Sequence, residues 1–205
     1  MITPADALAR LREGNRRFVE NQTTATALSL QARAALVAGQ RPFAIVLGCS
    51  DSRVPAELVF DQGFGDLFVI RVAGNVVAPS QVGSVEFAAA RFGTRLVVVM
   101  GHSQCGAVVA TLEELQEGTT NGSRNLRSIT DRVRPSVEPL VRTAGTLDRE
   151  VLLREAIRAN VRASVEHLRH GSELLEGLIR NDGLVVVGAE YSLETGAVTF
   201  FDDVP

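Results

Sequence analysis

The chain has 205 residues, 45% of them hydrophobic and 22% charged, with a formal net charge of −3 and a pI near 5.7. That is the composition of an ordinary globular chain, long enough to bury a core without staples, and it leaves no basic footprint for nucleic acid. The opening MITPADALARLREGNRRF mixes charges into an amphipathic pattern, so neither a secretion signal nor a membrane partner is expected and a cytoplasmic location is the default.

Thr3-Pro4 is a helix start, an N-cap hydroxyl followed by proline at the first helical position. Leu8, Leu11, Phe18 and Val19 then recur at helical spacing, which predicts a helix over 4–20. A looser stretch, NQTTATALS, leads to a second helical segment over 30–38 that stops at Gly39, and 1–38 together read as a helical N-terminal arm. With few strands nearby to pack on, the first helix is expected to lie across a partner subunit.

From there the pattern alternates. The β-branched apolar runs 43–47, 67–72 and 96–100 predict strands, and 55–60, 80–92 and 104–117 between them read as helices. Continuous apolar strands alternating with helices are the signature of a parallel sheet covered on both faces. The segment 124–180 is helical, with Pro135 and Pro139 expected to bend or end its pieces. Runs at 184–187 and 197–201 close the chain, with a hairpin around Glu194-Thr195-Gly196. The expectation is one α/β domain over 1–205. It has three layers (αβα), a mostly parallel sheet of four to five strands, and an antiparallel last strand.

The two cysteines sit at the same kind of place. FAIVLGC puts Cys49 just past the carboxyl end of one strand, and LVVVMGHSQC puts His102 and Cys105 just past that of another. Ligands bind at that edge of open α/β sheets. Two thiols and an imidazole suit Zn2+, which favours sulfur and nitrogen in tetrahedral geometry. Spacing alone leaves buried core cysteines equally open, and a Cys49–Cys105 disulfide is the third reading, one that a cytosolic chain disfavours. GCSDSRV adds an ambiguity: Asp51 suits a metal as a ligand, and it equally suits Arg53 as an ion-pair partner.

The segments GCSDSRV (48–54), FDQGFGDLFVIRVAGN (60–75), GSVEFA (83–88) and VVMGHSQCGAV (98–108) together resemble the β-class carbonic anhydrases. The resemblance extends from Leu8 to Phe201 and is sharp between Gln40 and Val108. It implies a zinc enzyme that interconverts CO2 and bicarbonate, working as a homodimer or homotetramer. By position it makes Cys49, His102 and Cys105 the zinc ligands, leaving the fourth site for a water that attacks CO2 as hydroxide. Asp51 and Arg53 become a dyad in which the arginine keeps the carboxylate off the metal, with Asp51 as fourth ligand only in a closed state. It puts Gln40 in the substrate pocket, across a dimer interface, and lines that pocket with Phe68, Ala73 and Phe87. Gly74 and Gly106 are expected to allow close backbone approach near the zinc.

Phe87 stands where many relatives carry tyrosine. Val46 occupies the place of a tryptophan with which some bacterial relatives hold an inhibitory bicarbonate, and the chain has no tryptophan. His167 and His170, with Arg169, fall on a charged helix and read as a solvated face, a proton relay or second metal site being the sharper alternative. Two further functions stay open: hydrolysis of carbonyl sulfide or carbon disulfide on the same zinc site, and a non-catalytic binding module with a closed four-ligand zinc.

Overall fold

A computed structural model describes residues 2–24, 30–118, 122–143, 145 and 148–201; part of the loose stretch after the first helix, 25–29, lies outside them. Five strands form one sheet: β1 (Ala44–Gly48), β2 (Leu67–Arg71), β3 (Leu96–His102), β4 (Val185–Tyr191) and β5 (Val198–Phe200), in the order β2-β1-β3-β4-β5. The first four run parallel, and β5 returns antiparallel beside β4.

The continuous apolar runs resolve into two faces with period two. Val46, Val98, Met100 and Ala189 point to one layer, and Ile45, Leu47, Val97 and Val99 to the other. Helices α1 (Pro4–Val19) and α3 (Ala56–Val59) cover the first face. Helices α4 (Pro79–Phe92), α7 (Arg149–His170) and α8 (Glu173–Asn181) cover the second. A short α2 spans Leu30–Ala35, and turns continue to residue 38.

Helix α1 forms where expected, with Thr3 Oγ1 accepting the backbone N–H of Asp6 at 3.1 Å and Pro4 opening the helix. Its docking differs from the expectation. Ala7, Leu8 and Leu11 are buried against this chain's own Phe43, Val59 and Phe60, so the helix serves as a layer of its own subunit. Polar anchors fix it there: Asn15 Nδ2 donates to the carbonyls of Val59 (3.1 Å) and Gly196 (2.9 Å), and Arg17 pairs with Asp61 at 2.5 Å. A side chain at Gly14 would collide with the Phe60 carbonyl, so the two segments touch backbone to backbone. Among the described residues, the only other helix on the sheet face that α1 covers is the four-residue α3, and without α1 a row of large apolar side chains would be exposed.

Helices α5 (Gly106–Glu117) and α6 (Arg124–Thr143) lie at the carboxyl end of the sheet, packed with α7 around Val76, Val108, Val133, Val137 and Ile157. Neither Pro135 nor Pro139 ends a segment, because α6 runs through both. The two prolines stand on its exposed side, where carbonyls left without an N–H partner face water, while Val133 and Val137 stay buried. No helix among the described residues is long and apolar enough to cross a membrane.

Candidate metal centre

Strands β1 and β3 are parallel neighbours, with Gly48 opposite Met100. Cys49 therefore emerges beside the end of β3, which carries His102 as its last residue. The chain then turns through Ser103 and Gln104, the latter at φ 57°, and delivers Cys105 as the N-cap of α5. The two sulfurs and a ring nitrogen of His102 all lie within 4.8 Å of one another, and the three residues are buried. The thiols are free, so the disulfide reading does not hold.

The donor set fits a metal ion on its own chemistry. His102 Nδ1 lies 2.8 Å from the carbonyl oxygen of Ser103, which only accepts, so Nδ1 carries the proton and Nε2 the lone pair. Nε2 is fully buried and finds no hydrogen-bond partner. Two thiols and an imidazole buried this close together, with Cys49 near enough to raise the imidazole against the opposing effect of burial, are the usual donor set for a soft cation. The hydrogen bond from Cys105 lowers the Cys49 thiol, while that same bond and burial raise Cys105.

Asp51 is held on Arg53. Its Oδ1 accepts from the backbone N–H (3.0 Å) and Nε (2.9 Å) of Arg53, and its Oδ2 accepts from Nη2 at 2.8 Å. This bidentate pair holds the carboxyl well below the usual carboxylate range. Oδ2 nevertheless stands only 3.9 Å from His102 Nε2, at the border of the cluster. Two further groups brace the loops. Arg71, the last residue of β2, donates from Nε to the Cys49 carbonyl (3.0 Å) and from Nη2 to the Asp51 carbonyl (2.6 Å). Ser103 Oγ donates to Glu194 at 2.7 Å and accepts from the Leu193 N–H at 2.9 Å, tying the histidine turn to the final hairpin. Sequence reading missed both; a lone arginine closing the apolar run LFVIR was the available signal for the first.

Ala73 and Gly74 belong to a 3₁₀ turn, Ala73–Asn75, against Cys49. Gly74 has φ 69°, and a Cβ there would come within 2.9 Å of the Ala107 side chain, so close approach does require glycine. At Gly106 it does not: a Cβ would meet nothing within 4 Å, because the start of α5 faces open space.

Gln40 lies ahead of β1, at the end of the sheet opposite Cys49, in a cavity of about 630 Å3 with Phe43, Arg91 and Thr94. The intervening strand spans roughly 17 Å, so Gln40 does not meet the cluster of its own chain. Phe68 pairs with Ile45 in the amino half of the sheet and packs its ring on Phe87 and Phe92, at centroid distances of 6.2 and 6.0 Å. These side chains therefore group along the β2 edge rather than around the cysteines. Val46 is fully buried under α1. His170 is exposed and pairs with Glu166 at 3.3 Å, and His167 is exposed beside it, consistent with a solvated face.

A family model described as carbonic anhydrase matches residues 44–198. The chain belongs to the β-class carbonic anhydrases. Members of this class are metalloenzymes and lyases that hydrate carbon dioxide. Some carbonic anhydrase relatives span nearly the whole chain. Carbonic anhydrase 2 of Mycobacterium tuberculosis is 38% identical over 98% of this chain and 94% of its own length. The carbonic anhydrase of Mycolicibacterium smegmatis is 41% identical over 95% and 92%. In structure, the β-carbonic anhydrase CafA of Aspergillus fumigatus superposes with a TM-score of 0.76 at 25% identity, covering 98% of this chain and 91% of that one.

Proposed function

We propose that this carbonic anhydrase interconverts CO2 and bicarbonate with Zn2+ held by Cys49, His102 and Cys105. The observation that carries the reading is the buried, unpartnered Nε2 of His102 facing two thiols, with Asp51 beside it but bound to Arg53. When bound, the ion supplies Lewis acidity that makes a water nucleophilic toward CO2 near neutral pH.

The chain's own residues do the rest. The thiolates of Cys49 and Cys105 would cancel the charge of a bound Zn2+, and all three donors are buried. Arg53 and its backbone fill both acceptor positions of Asp51 Oδ1 but only one of Oδ2. Oδ2 is therefore the atom free to accept one hydrogen bond from a water at the cluster and fix its orientation. A closed four-ligand module would place that carboxylate on the metal instead. Three hydrogen bonds to Arg53 favour the open form.

Two thiolates would leave a bound Zn2+ without net charge, so it would acidify a water less than an ion held by three neutral imidazoles does. The expected result is a kcat/KM for CO2 hydration that rises from about pH 6 to 9. Asp51 stays ionised throughout that window, since Arg53 holds its pKa below it, so the rise does not come from the dyad. Stopped-flow hydration, with zinc content measured on the same sample, tests this; a flat profile refutes it.

The working unit is a homodimer or homotetramer. Gln40, Phe68 and Phe87 stand away from their own cluster, by a sheet edge where, among the described residues, β2 pairs only with β1 and Phe87 is 54% exposed. They complete a pocket only if a second copy docks on that edge. Light scattering should give two or four copies, and Phe87→Glu should dissociate them. A wild-type monomer at micromolar concentration refutes the arrangement.

A further inference from the structure

Helix α7 carries no metal donor, yet its buried stripe carries two polar side chains, Asn160 and Ser164, among Ala156, Ile157, Val161, Val165 and Leu168. Both are spent on one target. Asn160 Nδ2 donates to the Gly74 carbonyl at 2.8 Å, and Ser164 Oγ donates to the Asn75 carbonyl at 3.1 Å. The turn they grip is one that the chain does not adopt readily. Gly74 is at φ 69° and Asn75, a residue with a side chain, at φ 44°. Its product is a single aimed group: the Gly74 N–H, which donates to Cys49 Sγ at 3.3 Å. The same turn sits over β3, with Asn75 Oδ1 3.6 Å from where a Cβ of Gly101 would be, next to His102.

We infer that Asn160 and Ser164 are positioning residues of the metal centre, locking the 73–75 turn so that an N–H···S bond tunes the Cys49 thiolate. The inference rests on metal binding at Cys49, His102 and Cys105. A hydrogen bond into a ligating sulfur withdraws electron density from it and fixes its direction, so the turn sets how strongly Cys49 donates to the ion. Buried polar residues that merely satisfied their own hydrogen bonds would have no reason to converge on successive carbonyls of one strained turn.

The test uses the full chain loaded with Co2+, whose thiolate-to-metal charge-transfer band reports the sulfur, together with Zn2+ affinity from chelator competition. Asn160→Ala and Ser164→Ala are compared with Leu168→Ala, which damages the same helix on the far side of the sheet from α1 and away from the turn. The two turn variants should shift the band and weaken Zn2+ binding, Asn160→Ala by about 10- to 100-fold. Leu168→Ala should lower Tm while moving neither. If both turn variants keep the wild-type band and affinity, the inference is overturned. If Asn160→Ala does not fold, Ser164→Ala alone decides, because it removes one hydroxyl and leaves the Gly74 contact intact. A wild-type chain without any thiolate–cobalt band overturns the metal reading itself, and this inference with it.

Discussion

His102→Ala should yield a folded chain that holds no zinc and hydrates CO2 at the uncatalysed rate. The side chain is wholly buried at the end of β3, so truncation opens a cavity, which alone costs on the order of 2–5 kcal/mol. Truncation also removes the Nδ1–H bond to the Ser103 carbonyl, so the apo variant is expected to fold less stably than the apo wild type. The difference appears on adding zinc. An ion that binds the native state alone stabilises it by about 2.7 kcal/mol at one hundred times its Kd. Wild-type Tm should climb with zinc concentration while that of the variant stays level. Stoichiometric zinc in purified His102→Ala would remove this residue from the donor set.

Arg53→Ala should show the opposite division, keeping zinc and losing turnover. The substitution deletes the Nε and Nη2 bonds and leaves Asp51 only the backbone N–H of residue 53. The carboxylate is then free to swing toward the nearby cluster, where it displaces the water it would otherwise orient. A fall in kcat/KM of roughly 10- to 100-fold is expected, the range typical of groups that hold metal-site residues in place. Stability should change little, since the guanidinium is exposed and solvent screens the pair. Lysine at this position is not expected to rescue, because a single ammonium cannot bridge both carboxylate oxygens. Stopped-flow kinetics beside metal analysis checks both halves, and near-wild-type turnover would refute the latch.

The parts of the molecule legible in its sequence are those written in local pattern. Strands β1 and β3 announce themselves as unbroken apolar runs because both of their faces are buried. Cys49, His102 and Cys105 follow those runs directly, so their convergence comes from parallel pairing alone. What was not legible depends on which surfaces meet. Helix α1 carries an apolar stripe that suits a partner subunit or its own sheet equally well, and only the bareness of the face above β3 decides. The ring of Pro135 breaks a helix in general, but here it projects to solvent. Gln40 is close to Cys49 in sequence, yet a whole strand stands between them. Asn160 did leave a trace: a polar residue in register with Ile157, Val161 and Ser164 on a buried stripe. Its target lies 86 residues away, a distance no local period encodes.

The adjacency of β1 and β3 has a consequence for how the protein matures. The three donors form one cluster only when Gly48 stands opposite Met100. A slip of one residue would turn every side chain of β1 to the other face of the sheet. A chain with that error has no three-donor site. Under the proposed metal binding, an ion at Cys49, His102 and Cys105 would therefore stabilise the in-register pairing of β1 and β3 over its slipped neighbours.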